Sequence, residues 1–140
     1  MKNHFHFVIH QRAADGMSQL MRRGMIAYGR YFNLRHGRKG PLFRSRYTAK
    51  PITTAEHAKF ALAYVHLNEP IAQLDYEFSS HALYLGEHSF DWIETELGLG
   101  VFGGVESYVK YINREGPRIV AEKLAEIGLP RDSHPFRPIR

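Results

Sequence analysis

The sequence predicts one α+β domain, because two segments with the alternation of β-strands are interleaved with two segments of helical periodicity. Residues 5–9 place apolar side chains at every second position, and residues 41–51, which read PLFRSRYTAKP, alternate in the same way. Residues 17–33 and a segment that begins near residue 54 repeat apolar side chains at helical spacing. With 140 residues, of which 44% are hydrophobic, the chain is long enough for one domain with its own core.

The first strand and the first helix follow from their patterns and from the residues that end them. The strand has an apolar face of Phe5, Phe7 and Ile9, and an opposite face of His4, His6, Val8 and His10. A turn at residues 14–16 leads into the helix of residues 17–33. The sequence HGRKG ends that helix with two glycines and a basic loop.

The second strand is followed by the second helix. Thr53 and Glu56 have the spacing of a capping box, so the helix should begin at about residue 54, and Asn68-Glu69-Pro70 should end it. Further helices are expected at roughly 104–114 and 117–127. We therefore expect a core domain over residues 1–86, a helical C-terminal extension over 87–128 and an irregular tail over 129–140.

The positive charge of the chain is concentrated in its first third. Residues 1–50 contain eleven Lys and Arg and one acidic residue, whereas residues 51–140 contain eight Lys and Arg and thirteen Asp and Glu. Such a basic half repels itself unless it binds a polyanion, and nucleic acid is the most common polyanion. The alternative is a basic surface that only aids solubility.

Composition also excludes several classes of protein. The chain has no cysteine, so it can form neither disulfides nor a cysteine-based zinc site. No apolar run approaches the length of a membrane span, and the N-terminus lacks the plan of a signal peptide, so a cytoplasmic location is expected. Neither a P-loop nor a GxGxxG motif is present, and Ser79-Ser80 has no recognisable oxyanion loop beside it.

Two histidines on one face of the first strand form a candidate metal site. Side chains two positions apart in a strand point the same way, so His4 and His6 can reach one ion. Neutral imidazole is a common ligand of divalent metals. The alternative is a pair of solvated or hydrogen-bonded histidines, and His10 is interpreted as structural or substrate-facing.

The second helix carries a candidate nucleophile. Tyr64 and Asn68 lie one turn apart, and Asn68 could supply the amide oxygen of a site with two histidines. A phenol reacts at neutral pH when a metal ion or guanidinium groups stabilise its anion. Alternatively, Tyr64 packs in the core and Asn68 caps the helix. His57 and His66 are interpreted as structural, with His66 also a candidate to assist Tyr64.

Four motifs in register resemble the single-tyrosine HUH transposases, particularly the REP-associated tyrosine transposase branch. The family strand reads Asn-His-x-His, as in Asn3-His4-Phe5-His6, and its GxLFxxRY segment matches residues 40–47. Its YxHLNP motif, with the catalytic tyrosine, matches Tyr64-Val65-His66-Leu67-Asn68, here with Glu69 inserted before Pro70. The segment FSSHALYLG, residues 78–86, resembles the family's WSSYxxYLG.

The resemblance implies a ferredoxin-like or RRM-like antiparallel sheet with helices on one face. It implies that Tyr64 attacks a phosphate of single-stranded or hairpin DNA and forms a 5′-phosphotyrosyl bond. His4, His6 and Asn68 would then hold Mg²⁺ or Mn²⁺. The DNA-contacting residues would be Arg35, Arg38, Lys39, Arg44, Arg46, Tyr47 and Lys50.

The chain also departs from the family, whose members carry a strand and a helix before the histidine strand. The sequence is therefore expected to be an N-terminally truncated member, associated with the nucleoid, for which a homodimer is one assembly the family allows. Three hypotheses stand: an active single-strand DNA transposase or nickase, an inactive derivative that binds DNA hairpins, and an unrelated basic nucleic-acid-binding domain.

Overall fold

The computed structural model describes residues 4–68, 79–87, 89–126, 128–130, 136, 138 and 139. Its helices are α1 (Gly16–Arg35), α2 (Ala55–His66), α3 (His81–Tyr84), α4 (Glu96–Phe102) and α5 (Val105–Glu126). The chain divides into two compact units. We call Met1–Val8 together with Ile52–Arg140 the core unit, and Ile9–Pro51 the basic unit.

The predicted α+β fold with a ferredoxin-like or RRM-like antiparallel sheet is wrong for the described residues, which contain helices and no strand. Residues 4–10 and 41–51, the two predicted strands, form no regular element. Alternation sets which way side chains point, but a strand also needs a neighbour that completes its backbone hydrogen bonds. The apolar face that should have been buried is open, because Phe5 is 41% and Phe7 58% exposed.

The two helices predicted from periodicity are confirmed. Helix α1 extends the predicted 17–33 by a few residues to Gly16–Arg35. Helix α2 begins where expected, but its cap is Thr54 rather than Thr53, because the Thr54 side chain accepts the bond from the His57 amide at 3.1 Å. A threonine at this position satisfies one of the amides that have no partner in the first helical turn.

The two helices expected near 104–114 and 117–127 are one continuous helix, α5, which passes through Pro117. A proline inside a helix costs about 3 kcal/mol, since it removes a hydrogen bond and crowds the preceding turn. The helix continues because its buried face keeps the helical period on both sides of the proline. That face is formed by Tyr108, Ile112, Gly116, Ile119, Val120, Lys123 and Leu124.

The core of the core unit lies where α2, α4 and α5 pack together. Leu62 and Ala63 of α2 meet Phe102 and the buried face of α5 in one apolar cluster. Phe136 and Ile139, near the C-terminus, pack against this cluster, and the Asn113 amide makes two hydrogen bonds, of 2.9 and 2.8 Å, with the backbone of Ile139. Among the helices of the described segments, none is both long and apolar enough to cross a bilayer.

Candidate active site around Tyr64

The core unit brings three of the predicted site residues together. The ring centroids of His4 and His6 are 5.2 Å apart with nearly perpendicular planes, and those of His6 and Tyr64 are 5.8 Å apart in an edge-to-face contact. The predicted metal ligands and the predicted nucleophile therefore lie side by side, although the histidines stand on an irregular segment and not on a strand.

The spacing of the two histidine rings is compatible with two ligands of one metal ion. Two imidazoles that bind one ion through metal–nitrogen bonds of about 2.1 Å have ring centroids roughly 5 Å apart. The centroid distance between His4 and His6 is close to this value. Burial lowers the pKa of His6 below its usual value, and the positive charges of Lys123 and His4 lower it further. A lower pKa keeps the imidazole neutral, which is the form that binds metal.

A third ligand is less clearly placed. The described segments hold no group of three or more His, Asp or Glu side chains that could bind a metal ion. Asn68, the predicted third ligand, follows α2 and is half buried. Its Nδ2 is buried without a hydrogen-bond partner. Rotation of the amide by 180° would put its oxygen, a metal ligand, in that position. The two imidazoles thus fit a metal ion, and the Asn68 amide stays the predicted third ligand.

The end of α5 contributes two charged residues to Tyr64. The Tyr64 hydroxyl donates a hydrogen bond to Glu126 Oε2 at 3.1 Å. Lys123 Nζ lies 3.5 Å from the centre of the Tyr64 ring and donates a 2.9 Å hydrogen bond to the Tyr64 main-chain oxygen. The expected partners of the phenol were a metal or guanidinium groups, so this ammonium and carboxylate are additions to the predicted site.

The electrostatics of this cluster oppose ionisation of the tyrosine. Burial raises the pKa of Tyr64, and the negative charge of Glu126 and the hydrogen bond to it raise it further. Burial also lowers the pKa of Lys123 to about 7, since only 4% of that residue is exposed. The phenol is therefore neutral at rest, and its proton must leave before or during any nucleophilic attack.

Sequence reasoning missed Lys123 and Glu126, but one signal was present. Val120, Lys123 and Leu124 have the spacing of one helical face, so a lysine stands at a core position of α5. A buried lysine needs a partner, and here the partner is the carbonyl of the predicted nucleophile. Glu126 has no such signal, because it lies at the exposed end of the helix.

A second polar cluster, which we call the histidine latch, fixes α2 from the core. His66 Nδ1 lies 2.9 Å from the Tyr108 hydroxyl, and His66 Nε2 lies 2.9 Å from Ser80 Oγ. His81 Nδ1 lies 2.6 Å from the same Tyr108 hydroxyl. The Tyr84 ring contacts His66 edge to face at 4.6 Å. These contacts agree with the prediction that His66 is structural.

The histidine latch is complete with neutral imidazoles. When His66 donates from Nδ1 to Tyr108, the tyrosine donates to His81 and Ser80 donates to His66. When the tautomers are exchanged, every donor and acceptor reverses and each still has a partner. Burial lowers the pKa of His66 to about 3, and the neighbouring His81 contributes to the decrease. A protonated His66 is therefore unfavourable in the folded protein.

The seven predicted DNA-contacting residues all lie in the basic unit and are exposed. This unit contains ten Lys and Arg and a single acidic residue, Asp15. Exposed aromatic rings lie among these charges, including Tyr28 at 48%, Tyr31 at 61% and Tyr47 at 44% exposure. Arginine side chains and aromatic rings on one surface are typical of proteins that bind unpaired nucleic acid.

No protein-family model, no curated protein and no solved structure matches this chain. The resemblance of its motifs to the single-tyrosine HUH transposases therefore stays a prediction. The functional interpretation depends on the chemistry of the side chains described above.

Proposed function

We propose that the protein is a metal-assisted DNA strand transferase of the REP-associated tyrosine transposase type, with Tyr64 as its nucleophile. The observation that supports this proposal best is the contact of His6, which itself contacts His4, with the Tyr64 ring. Two imidazoles beside a phenol form the minimum set for attack on a metal-bound phosphate. These residues come from distant parts of the sequence, so chain connectivity does not explain their contact.

The reaction would be a transesterification on single-stranded or hairpin DNA. Bound Mg²⁺ or Mn²⁺ would polarise the scissile phosphate. The Tyr64 hydroxyl oxygen forms a bond to phosphorus and the bond to the 3′ oxygen breaks, which leaves a 5′-phosphotyrosyl linkage and a free 3′ hydroxyl. His4 and His6 would hold the ion, and Lys123 holds the tyrosine backbone and ring in place. The linkage conserves the bond energy, so no ATP is required.

The basic unit would supply affinity for the DNA strand. Lys and Arg contacts to phosphates release counterions, so affinity should fall steeply with salt. The contacting residues would be Arg35, Arg38, Lys39, Arg44, Arg46, Tyr47 and Lys50. Tyr47 would stack on unpaired bases rather than contact phosphate.

An inactive protein that binds DNA hairpins is the second candidate. The raised pKa of Tyr64 favours it, because burial and Glu126 both stabilise the neutral phenol. In that case the basic unit would still bind hairpins with the same salt dependence. The two candidates differ only in covalent chemistry at Tyr64.

The test uses labelled single-stranded hairpin DNA with Mn²⁺, analysed on native and denaturing gels. Tyr64→Phe is compared with the wild type and with Tyr111→Phe, a matched control on α5 that removes a different hydroxyl. The proposal predicts a denaturation-resistant protein–DNA band for the wild type and for Tyr111→Phe, and none for Tyr64→Phe. A native shift without that band would establish the hairpin-binding protein instead. Absence of any shift would refute both candidates.

Metal binding is measured separately by thermal unfolding. Mn²⁺ should raise the melting temperature of the wild type, since a ligand that binds only the folded state stabilises it. His6→Ala should abolish the increase, whereas His10→Ala, on the same segment, should retain it. An equal increase in all three proteins would place the ion elsewhere.

A further inference from the structure

The contact between Tyr64 and Glu126 joins the nucleophile to the last residue of α5. Glu126 Oε2 lies 3.1 Å from the Tyr64 hydroxyl, which is a hydrogen-bond distance. The side chain of Glu126 is exposed at the helix end, and its negative charge also interacts with the buried Lys123. A solvent-accessible carboxylate within hydrogen-bond distance of the reacting oxygen is placed to exchange a proton with it.

We propose that Glu126 is the general base that removes the proton from Tyr64 during strand transfer. This inference rests on the proposed function, because it concerns the same nucleophile. It goes beyond the motif resemblance, since the matched motifs end near residue 86 and α5 lies outside them. A basic group is required because a neutral phenol is a weak nucleophile at neutral pH.

The proposed step balances in atoms and charge. The Tyr64 oxygen bonds to phosphorus while its proton moves to Glu126 Oε2, and the carboxylate becomes a neutral carboxyl group. The bond from phosphorus to the 3′ oxygen breaks, and that oxygen takes a proton from a solvent water, which leaves a hydroxide ion. In the reverse reaction the 3′ hydroxyl attacks phosphorus and gives its proton to a hydroxide ion, while the Glu126 carboxyl group returns its proton to the tyrosine oxygen.

Lys123 contacts Tyr64 at its ring and at its main chain. Its ammonium lies against the ring face and its hydrogen bond is to the main chain of Tyr64, so neither contact involves the hydroxyl. His6 contacts the ring edge to face. The hydroxyl thus has Glu126 as its hydrogen-bond partner within the described residues, and Tyr64 is only partly buried.

The experiment measures the single-turnover rate of adduct formation with Mn²⁺ and hairpin DNA for the wild type, Glu126→Gln and Glu126→Asp. Glutamine keeps an oxygen that accepts the tyrosine hydrogen bond but cannot take the proton at neutral pH. We expect Glu126→Gln to form the adduct roughly 10²–10⁴-fold more slowly, the range for loss of a general base. Aspartate keeps the base on a shorter side chain and should recover part of that rate.

Two controls separate this effect from folding and binding. Glu122→Gln removes a carboxylate from the same helix that pairs with Arg118 at 2.7 Å, and it should react at the wild-type rate. Hairpin affinity on native gels should be the same for all four proteins. A wild-type rate in Glu126→Gln would overturn the proposal, because the hydrogen bond alone would then suffice. Failure of the wild type to form an adduct would instead refute the proposed function, and this role of Glu126 with it.

Discussion

Tyr108→Phe tests the histidine latch by removing one oxygen atom from the centre of the core. Tyr108 is fully buried, and its hydroxyl contacts Nδ1 of both His66 and His81. Without it, Nδ1 of His66 has no partner, and water cannot replace the hydroxyl because His66 is only 2% exposed. A buried polar atom left without a partner costs about 1–3 kcal/mol. His81 is less buried, so the loss of its hydrogen bond to Tyr108 should cost less. We therefore expect a loss of about 2–4 kcal/mol in the free energy of unfolding.

The assay is urea unfolding at pH 7, with Tyr111→Phe as the control. Tyr111 stands on the same helix, and the substitution removes the same atom from a partly buried ring that packs at the edge of the core cluster, beside Phe102 and Arg114. The control should change stability by less than about 0.5 kcal/mol. The larger loss in Tyr108→Phe corresponds to a melting temperature lower by roughly 6–12 °C. If the two variants lose the same stability, the hydrogen bonds of the latch do not hold the core together.

The remaining predictions concern acid sensitivity and two glycines of α4. Because burial lowers the pKa of His66 to about 3, the unfolded chain binds a proton at higher pH than the folded chain, so stability should fall as the pH drops below 6.5. His66 should contribute about 2 kcal/mol of the loss between pH 7 and pH 5 in urea unfolding, and His66→Gln should lack that share while His6 and His81, whose pKa values are also lowered, keep theirs. Gly98→Ala should destabilise by about 1–3 kcal/mol, since the new Cβ would overlap the buried Tyr84 ring. Gly100→Ala meets no atom within 4 Å and should stabilise by up to about 1 kcal/mol, so thermal unfolding should give opposite signs for the two variants.

Local signals predicted the helices but not the absence of a sheet. Helices α1 and α2 form within continuous segments of chain, so periodicity and caps are sufficient to locate them. A strand depends on a partner elsewhere in the chain, and the alternation of residues 5–9 carries no information about that partner. Two helices were predicted at roughly 104–114 and 117–127, but α5 is continuous, because burial of the surrounding face outweighs the local cost of Pro117.

The candidate site was predictable only in part for a similar reason. The spacing of His4 and His6 indicates that they can act as a pair, and the motif resemblance associates them with Tyr64. Glu126 has no sequence relation to any of these residues, and its contact with Tyr64 depends on how α5 packs against α2. Contacts of this kind follow from tertiary packing and not from spacing along the chain.

The histidine latch and the candidate site act on opposite faces of α2. Tyr64 and His66 are two residues apart, which corresponds to about 200° around a helix. Their partners Lys123 and Tyr108 lie about 22 Å apart along α5 at 1.5 Å per residue. Helix α5 therefore holds α2 from two points, and loss of either point should let α2 rotate. Tyr108→Phe should consequently slow adduct formation at temperatures where the variant is still folded. Its affinity for hairpins should not change, because the basic unit contains none of these residues.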